Sequence, residues 1–470
     1  MIGGKCEGML ETAKNPEEKV RQLQRKLYVC AKQSRARRFH ALYDRIHRSD
    51  VLWEAWRRVR SNGGAAGVDA ETIQGIGERG PGEFLAEIQA ALKAGQYRPS
   101  PVKRRYIPKA DGKQRPLGIP TVRDRVVQMA AKLVIEPIFE ADFQPYSYGF
   151  RPKRSATQAL EAIRVAGNQG HNFVVDADIQ GYFDNIQRES LMELVKERVS
   201  DRRVLKLIRQ WLEAGVMEDG TVRETLAGTP QGGVISPLLA NIYLNKLDRI
   251  WAARCSQLGV LVRYADDLVA MCRTASAAKE ALRRLGLVMD RLGLTLHPVK
   301  TRMVDLRRGK ESFVFLGCTI RKKRSIQRNP RWHFMQRWPS PKATKKLRDR
   351  VRELTSKRQS GKEVKQIIAE LTPVLRGWGN YFRTGNADRE FNKMDYFVVT
   401  SIRRWQYRRG GQRPTKRAPF TGDQLYGMGL HKLMGTVKYP AQATPRRSSE
   451  SRVPENGMHG LKGEIRNGLE

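Results

Sequence analysis

Two adjacent carboxylates, Asp266 and Asp267, lie in the segment VRYADDLVA (262–270), flanked by short apolar runs. The pattern on either side predicts a β-hairpin with the two acids at its tip. A solvated turn is the simplest interpretation of such a tip, because aspartate is common in hairpin loops. Whether the pair does chemistry therefore depends on what the rest of the chain brings beside it.

A third carboxylate, Asp178, lies near the end of the β-branched run NFVVDADI (172–179). Helical segments, the hairpin, another helix and a further strand follow it, which is the β-α-β-β-α-β arrangement. In this arrangement the end of the first strand lies beside the central hairpin. We therefore predict an α/β (α+β) fold with a ferredoxin-like sheet, in which Asp178 lies next to Asp266 and Asp267.

Such a cluster has a defined chemistry. Three carboxylates held together repel one another, and burial raises their pKa values unless a cation neutralises them. Oxygen ligands suit Mg²⁺, which keeps several waters and completes its shell with substrate phosphates. Two such ions about 3.5–4 Å apart can activate an attacking 3′-hydroxyl and stabilise a leaving pyrophosphate. The cluster thus indicates nucleotidyl transfer with two Mg²⁺ ions.

The chain is strongly basic, with 88 Lys and Arg against 48 Asp and Glu in 470 residues, a formal net charge of +40. This charge favours a nucleic acid over an acidic membrane surface as the partner. No apolar run is long enough for a signal peptide or a membrane span, which predicts a soluble intracellular protein without a membrane partner. The five cysteines form no C-x-x-C pair, which argues against a disulfide framework and a zinc ribbon.

Hydrophobic periodicity and turn residues predict the other elements. The predicted helices cover 17–60, 84–93, 188–199, 236–251 and 276–293, the last capped by Ser276 and stopped by Gly293. The predicted strands form a hairpin over 102–120, with Asp111 and Gly112 in its turn, and two later strands over 294–300 and 313–320.

Eight sequence blocks identify a family. They read RPLGIPTVRDRVVQ (115–128), YGFRP (148–152), DADIQGYFDNI (176–186), GTPQGGVISPLLANIYL (228–244), YADD (264–267), LHPVKT (296–301), FLG (315–317) and LRGWGNYFR (375–383). Over roughly residues 60 to 410 the chain resembles bacterial group II intron reverse transcriptases, which double as maturases. YADD alone is weak evidence, whereas eight blocks in the right order make chance a poor explanation.

The resemblance implies a right-hand polymerase with fingers, a palm built on the βαββαβ sheet, and an α-helical thumb that is the maturase (X) domain. The implied domains are a basic helical N-terminal extension (1–60), fingers and palm (61–325), thumb or maturase domain (326–410) and a basic, DNA-binding C-terminal segment with a partly disordered tail (411–470).

Carried over by position, the resemblance implies that Asp178 and Asp266 ligate the metal ions and that Asp267 completes the acidic site. It implies that Phe183 is the steric gate that excludes a nucleotide 2′-hydroxyl. Without the surrounding block, core packing would be the better interpretation of that ring.

Other positions match residues that hold the nucleotide or the primer-template. The nucleotide-binding matches are Lys109 and Arg115 for the triphosphate, Gln231 for the sugar, and Lys300. Arg151 and Gly232 match nucleic-acid-binding positions. For Lys300 and Arg151 a structural ion pair is as plausible as a phosphate contact, and a tight turn explains Gly232 equally well.

Aromatic and basic residues near the C-terminus invite two different interpretations. Core packing in a helical thumb is favoured over base stacking for Trp378, Tyr381 and Phe382. Phosphate contact with RNA or DNA is favoured for the basic run 403–417, which contains Arg403, Arg404, Arg408 and Arg409, because the whole chain carries +40.

The resemblance implies an RNA-dependent DNA polymerase that binds group II intron RNA, assists its splicing, and copies it from dNTPs after insertion into target DNA. We expect no His-Asn-His nuclease, because only His431 and His459 and no cysteine follow QYRRGG (406–411). A bacterial cytoplasmic location with nucleoid association is expected. Two alternatives stay open: a splicing chaperone with an idle polymerase site, and a domesticated enzyme of phage defence or CRISPR adaptation.

Overall fold

The computed structural model describes residues 15–108, 112, 114–218, 221–223, 232–325, 332–409 and 420–439. The chain divides into two compact units, each built from two separate stretches. The first unit comprises Met1–Arg151 and Val174–Met303, and the second comprises Pro152–Phe173 and Val304–Glu470. The segment 152–173 therefore packs with the later part of the chain.

The basic N-terminal region is helical, as predicted. It forms α1 (Pro16–Gln33), α2 (Tyr43–Ile46) and α3 (Ser49–Asn62). In α1 the buried residues recur every three or four positions, from Val20 to Ala31, so one apolar stripe packs inward and the basic residues stay in solvent. Both α1 and α3 pack on α6 (Val122–Glu140), a helix buried along most of its length.

A second group of elements surrounds the predicted hairpin. It consists of α4 (Ile73–Arg79), α5 (Pro81–Lys93), β1 (Val102–Pro108), β2 (Gln114–Ile119), β4 (Val216–Glu218) and β5 (Thr221–Arg223). The strands form a sheet in the order β2-β1-β4-β5, and β1 pairs antiparallel with β2 from Lys103↔Ile119 to Pro108↔Gln114. The hairpin over 102–120 is thus confirmed, although Asp111 in its turn lies outside the described residues.

After α7 (Ala156–Asn168), which belongs to the second unit, the chain enters the sheet that carries the acids. Its strands are β3 (Phe173–Asp178), β6 (Gly259–Tyr264), β7 (Asp267–Cys272) and β8 (Arg302–Asp305). They lie in the order β6-β7-β3-β8, which is the order of a βαββαβ sheet and confirms the prediction. The helices between them are α8 (Tyr182–Asn185), α9 (Arg188–Lys196), α10 (Arg202–Glu213), α11 (Ser236–Arg254) and α12 (Ala275–Arg291).

The predicted strand over 294–300 is wrong. That segment makes one isolated bridge, Ile179↔Leu296, and then turns at 298–300, so the fourth strand begins only at Arg302. Pro298 has no backbone N–H to donate to a ladder, which explains the break. The helix before it ends as predicted, with Gly293 at φ +64°. Its cap is Thr274, which accepts from Ala277 N, rather than Ser276.

The second unit combines a small sheet with helices. Its elements are α7, β9 (Phe313–Phe315), β10 (Cys318–Arg324), β11 (His333–Pro339), α13 (Pro341–Leu354), α14 (Val364–Phe382), α15 (Asp388–Arg409) and α16 (Gly422–Gly427). The sheet order is β11-β10-β9. The single strand predicted over 313–320 is therefore two strands. Leu316 and Gly317 both have positive φ (+47° and +74°) and form the two-residue turn of a tight hairpin.

Within the described residues, no helix has the length and apolar character that a membrane crossing requires. Four cysteines lie in that part of the chain, and none of them forms a disulfide. Cys272 in β7 and Cys318 in β10 are fully buried.

Candidate active site

The turn between β6 and β7 presents the two adjacent acids. Tyr264 pairs with Asp267 across the hairpin, so the turn itself consists of Ala265 and Asp266. Ala265 has a φ of +58°, a left-handed conformation that costs a non-glycine residue about 1 kcal/mol. Asp267 is exposed at the start of β7, and the five residues after it are buried. The acids therefore lie at the end of a largely buried strand pair.

A fully buried ion pair supports this turn. The side chains of Arg263 and Asp248 are each 0% exposed. The Arg263 guanidinium donates to both carboxylate oxygens of Asp248 at 2.5–3.1 Å. Its Nη1 also donates to Asn241 Oδ1 and to the carbonyl oxygen of Ala265, at 2.9 Å each. One guanidinium thus connects α11 to the strained residue that precedes Asp266.

Gly149 supports the turn as well. A Cβ on residue 149 would lie 2.3 Å from the backbone nitrogen of Ala265, a distance that no side chain tolerates. The carbonyl oxygen of Gly149 accepts from Asn241 Nδ2 at 2.8 Å. The block YGFRP therefore uses its glycine for close backbone contact with the acidic turn.

Asp178 is the last residue of β3, which is the neighbour of β7 in the sheet. Its carboxylate accepts from Lys300 Nζ at 2.9 Å, and its carbonyl oxygen accepts from His297 N at 2.8 Å. The Lys300 and Asp178 side chains are 59% and 32% exposed. Such an exposed pair contributes about 0–1 kcal/mol and exchanges readily with other ions. Lys300 therefore forms an ion pair with Asp178 here.

The three predicted acids belong to one electrostatic cluster. Burial raises the pKa of Asp267 to about 7, and the charges of Asp266, Asp178 and Asp176 raise it as well, whereas Lys300 lowers it. Asp267 still has part of its surface in solvent at the start of β7, so dissolved salt screens part of this repulsion. The cluster thus carries an excess of negative charge that a cation would relieve.

The donor atoms of this cluster are of the kind that binds a divalent cation. All of its donors are carboxylate oxygens, which Mg²⁺ prefers. Among the described residues, however, no group of three His, Cys, Asp or Glu side chains forms a ready metal-binding set. Lys300 Nζ donates to Oδ2 of Asp178. A cation bound to that same oxygen would compete with Lys300.

Phe183 lies in the short helix α8, five residues after Asp178 in the sequence. Its side chain is only half-buried, whereas its neighbour Tyr182 is 3% exposed and donates from Oη to the Ala240 carbonyl oxygen at 2.5 Å. The two rings meet edge to face at 5.4 Å. Tyr182 is therefore the ring of this block that packs in the core, and both the gate role and the core-packing alternative for Phe183 stay predictions.

Arg151 and Gly232 both make contacts with other parts of the protein itself. The Arg151 side chain is 3% exposed, forms an ion pair with Glu140 at 2.6 Å and donates to the carbonyl oxygens of Gln144 and Ser147. Arg151 was interpreted either as a structural ion pair or as a phosphate contact, and in this structure it forms the ion pair. Gly232 has a φ of +120°, and a Cβ there would lie 2.2 Å from the Gly118 carbonyl oxygen, so a tight backbone contact explains this glycine.

Several predicted site residues lie outside the described part of the chain. These are Lys109 and Gln231, the side chains of Arg115 and Arg409, and the predicted disordered tail. Their assignments stay predictions.

The aromatic residues of GWGNYFR lie within the second unit. Phe382 is 6% exposed, and its ring centroid lies 4.9 Å from that of Trp378 and 4.8 Å from that of Tyr381. Phe382 therefore packs in the core, whereas Trp378 and Tyr381 are half-buried beside it. On α15, Arg403 donates to the Phe420 carbonyl oxygen at 2.9 Å, whereas Arg404 and Arg408 are exposed.

Sequence reasoning missed Arg263, Asp248 and Asn241. A usable signal was present: Arg263 interrupts the apolar strand GVLVRY (259–264), and Asp248 is a charged residue on the mostly apolar helix SPLLANIYLNKLDRIW (236–251). A buried charge in a strand requires a partner of opposite charge. Asp176, whose pKa is raised by burial and lowered in part by Arg302, was also missed.

Two regions of the chain match known protein families. Residues 107–320 match the family described as reverse transcriptase (RNA-dependent DNA polymerase), and residues 344–419 match the group II intron, maturase-specific domain. Protein YkfC of Escherichia coli (strain K12) is 35% identical over 344 residues, which are 65% of this chain and 89% of YkfC.

Two further similarities are more partial. The group II intron-encoded protein LtrA of Lactococcus lactis subsp. cremoris is 41% identical over 214 residues, 45% of this chain and 35% of LtrA. This chain thus matches about a third of that relative's length. Among solved structures, a chain of the partial Cas6-RT-Cas1–Cas2 complex is 24% identical and aligns with 53% of this chain and 42% of its own, with a TM-score of 0.33. That score is too low to relate their functions.

Proposed function

This chain belongs to the reverse transcriptases, RNA-directed DNA polymerases, that carry the maturase-specific domain of group II introns, and we propose that it copies its intron RNA into DNA during retrohoming. The reaction is transfer of a nucleotide from a dNTP to the 3′-hydroxyl of a primer, with release of pyrophosphate. The observation that carries the proposal is the electrostatic cluster of Asp267 with Asp266 and Asp178, on neighbouring strands of a βαββαβ sheet.

In this proposal Asp178, Asp266 and Asp267 hold two Mg²⁺ ions, which when bound supply positive charge to the reacting phosphate oxygens. The protein residues around them have separate tasks. Arg263 fixes the backbone before Asp266 through the Ala265 carbonyl oxygen. Phe183 limits the space beside the sugar. Lys300, released from Asp178, supplies a fixed cation near the phosphates, where negative charge develops.

The RNA-binding part of the proposal is supported by charge and by the maturase-specific domain. The net charge of +40 provides sequence-independent attraction for phosphates. The domain match at 344–419 supports group II intron RNA as the bound RNA and assistance to its splicing as the second role. Target DNA, entered by the intron and then used during copying, is the further proposed partner.

The decisive experiment is primer extension on a poly(rA) template with an oligo(dT) primer and Mg²⁺. Replacing Asp266 or Asp267 by Asn removes a negative charge from the cluster, and cDNA synthesis should fall by about 100-fold or more. The matched control is Asp290→Asn, which removes an exposed carboxylate on α12. It should extend the primer at the wild-type rate.

The same variants separate polymerase chemistry from RNA binding. Asp266→Asn and Asp267→Asn should bind the intron RNA and assist its splicing as the wild type does, because neither change touches the basic surface. Unchanged cDNA synthesis in both variants would refute the polymerase site proposed here. A wild-type protein that assists splicing but makes no cDNA would instead support the splicing chaperone.

A further inference from the structure

The second unit contains a cavity of about 430 Å³ that is separate from the acidic cluster. It lies where the end of the β10–β11 hairpin meets the short 3₁₀ turn Arg307–Gly309 and the end of α7. The residues that matter for its chemistry are Asn172, Arg307, Arg308, Lys322, Trp332 and Phe334. A volume of this size accommodates a ligand of nucleotide dimensions.

One wall of the cavity is aromatic. Trp332 is 54% exposed, which is unusual for so large an apolar ring. Its ring meets that of Phe334 edge to face, with centroids 6.3 Å apart. Phe334 thereby fixes the orientation of Trp332, and the indole offers a flat surface to solvent. Such a surface is suited to stacking against a planar heterocycle.

Another part of the lining is cationic. Lys322 is 9% exposed, and burial lowers its pKa. Within the described residues it makes no ion pair or hydrogen bond through its side chain, and the same holds for Arg308. Arg307 differs, because its Nη2 forms an ion pair with Oδ2 of Asp305 at 2.9 Å. No Asp or Glu occurs among the described residues that line the cavity.

A polar acceptor adds specificity. The side-chain oxygen of Asn172, Oδ1, is buried and has no hydrogen-bond partner among the described residues. A buried acceptor without a partner is less stable than a satisfied one, because it has lost its hydrogen bond to water. Its own backbone is fixed, because the Asn172 carbonyl oxygen accepts from Leu306 N at 2.9 Å. An N–H donor on a ligand would satisfy it.

We propose that this cavity binds one unpaired nucleotide of a single-stranded RNA segment, with the base stacked on Trp332, its edge N–H donated to Asn172 Oδ1, and the phosphate held by Arg308 and Lys322. The three chemistries of the cavity, aromatic, acceptor and cationic, correspond to the base face, the base edge and the phosphate. The proposal rests on the proposed function in one respect, which is that RNA is the polymer bound by this chain.

The test is fluorescence anisotropy with a fluorescein-labelled single-stranded oligo(rU) of 12 nucleotides, with no dNTP or primer present. Trp332→Ala should weaken binding about tenfold. Trp332→Phe, which keeps an aromatic face, should restore most of it. Unchanged thermal unfolding midpoints would confirm that both variants fold.

Arg308 has a matched control two residues away. Lys310 is exposed and does not line the cavity. Arg308→Gln should weaken oligo(rU) binding more than Lys310→Gln does. It should also lower the slope of log affinity against log salt by about 0.7, the value expected for loss of one phosphate contact with a single strand. Lys310→Gln should leave the slope unchanged.

Three outcomes would overturn the proposal. Trp332→Ala could bind as the wild type does, Arg308→Gln could match Lys310→Gln, or millimolar uridine 5′-monophosphate could displace the probe completely and identify a site for free nucleotides. The polymerase proposal can fail without this one. Asp266→Asn changes the acidic cluster and not the cavity, so it should bind oligo(rU) as the wild type does, whether or not the wild type makes cDNA.

Discussion

Arg263 determines the conformation of the residue that precedes Asp266. Its guanidinium makes hydrogen bonds to Asp248, Asn241 and Ala265, with no exposure to solvent. Buried ion pairs of this kind do not necessarily add stability, because desolvation opposes the attraction between the charges. Their value here lies in geometry: a charged group with several fixed partners cannot shift without breaking all of them.

Removing one partner should therefore be severe. Asp248→Asn leaves a buried guanidinium without a counter-charge and should lower the free energy of unfolding by about 3–5 kcal/mol, measured from the urea midpoint. The control is Glu197→Gln, which breaks the exposed pair of Glu197 with Arg249 and should leave the midpoint unchanged.

A double variant separates stability from positioning. Arg263→Met combined with Asp248→Leu removes both charges and should recover most of the lost stability. It should still make little cDNA, because nothing then holds the Ala265 carbonyl oxygen. Wild-type cDNA synthesis by the folded double variant would contradict the positioning role of Arg263.

For single residues, the sequence predicted the acids of the site but not the side chains that fix their position. Asp178, Asp266 and Asp267 were recognisable because each follows or begins a strand-like run in an ordered block. The partner of Arg263 could not be read from the sequence, because Asp248 lies on a helix whose packing on the sheet depends on tertiary contacts. Arg151 likewise has a partner, Glu140, that only the folded chain identifies.

At the scale of elements, the acidic hairpin depends on close contact with the segment that contains Gly149. Gly149→Ala would place a Cβ 2.3 Å from the Ala265 nitrogen. Because the obstacle is backbone, the turn must move, and cDNA synthesis should fall by about 100-fold, measured by primer extension.

Gly286 provides the matched control. It lies inside α12, and a Cβ there would meet nothing within 4 Å. Gly286→Ala should stabilise the helix by about 0.5–1 kcal/mol and leave cDNA synthesis unchanged. If both alanine variants were equally active, the contact of Gly149 with the turn would have no role in catalysis.

Helices and the first strands of the sheet were predictable because their periodicity is long and regular. Two errors have local causes. The segment 294–300 contains β-branched and apolar residues, but its backbone serves a single bridge to Ile179 and then a turn. The run 313–320 forms a hairpin that its sequence does not indicate. The turn requires a positive φ at Leu316, which is unusual for a leucine.

On the scale of the whole molecule, the net charge of +40 requires that the folded chain be neutralised by a polyanion or by counterions. Many basic residues are already paired with acids in the structure, as Arg283 is with Glu280. The residues that can release counterions on binding RNA are those without such partners. Arg404 and Arg408 are exposed on α15 and make no ion pair within the described residues.

Arg404 and Arg408 should therefore contribute to the salt dependence of intron RNA binding. The double variant Arg404→Gln/Arg408→Gln should reduce the slope of log affinity against log salt by about two, measured by filter binding. The control is Lys393→Gln on the same helix, because Lys393 is already paired with Glu390 at 2.7 Å and has little counterion to release. An equal slope for the double variant and the wild type would exclude this face of α15 from the RNA interface, since loss of a phosphate contact must change the number of ions released.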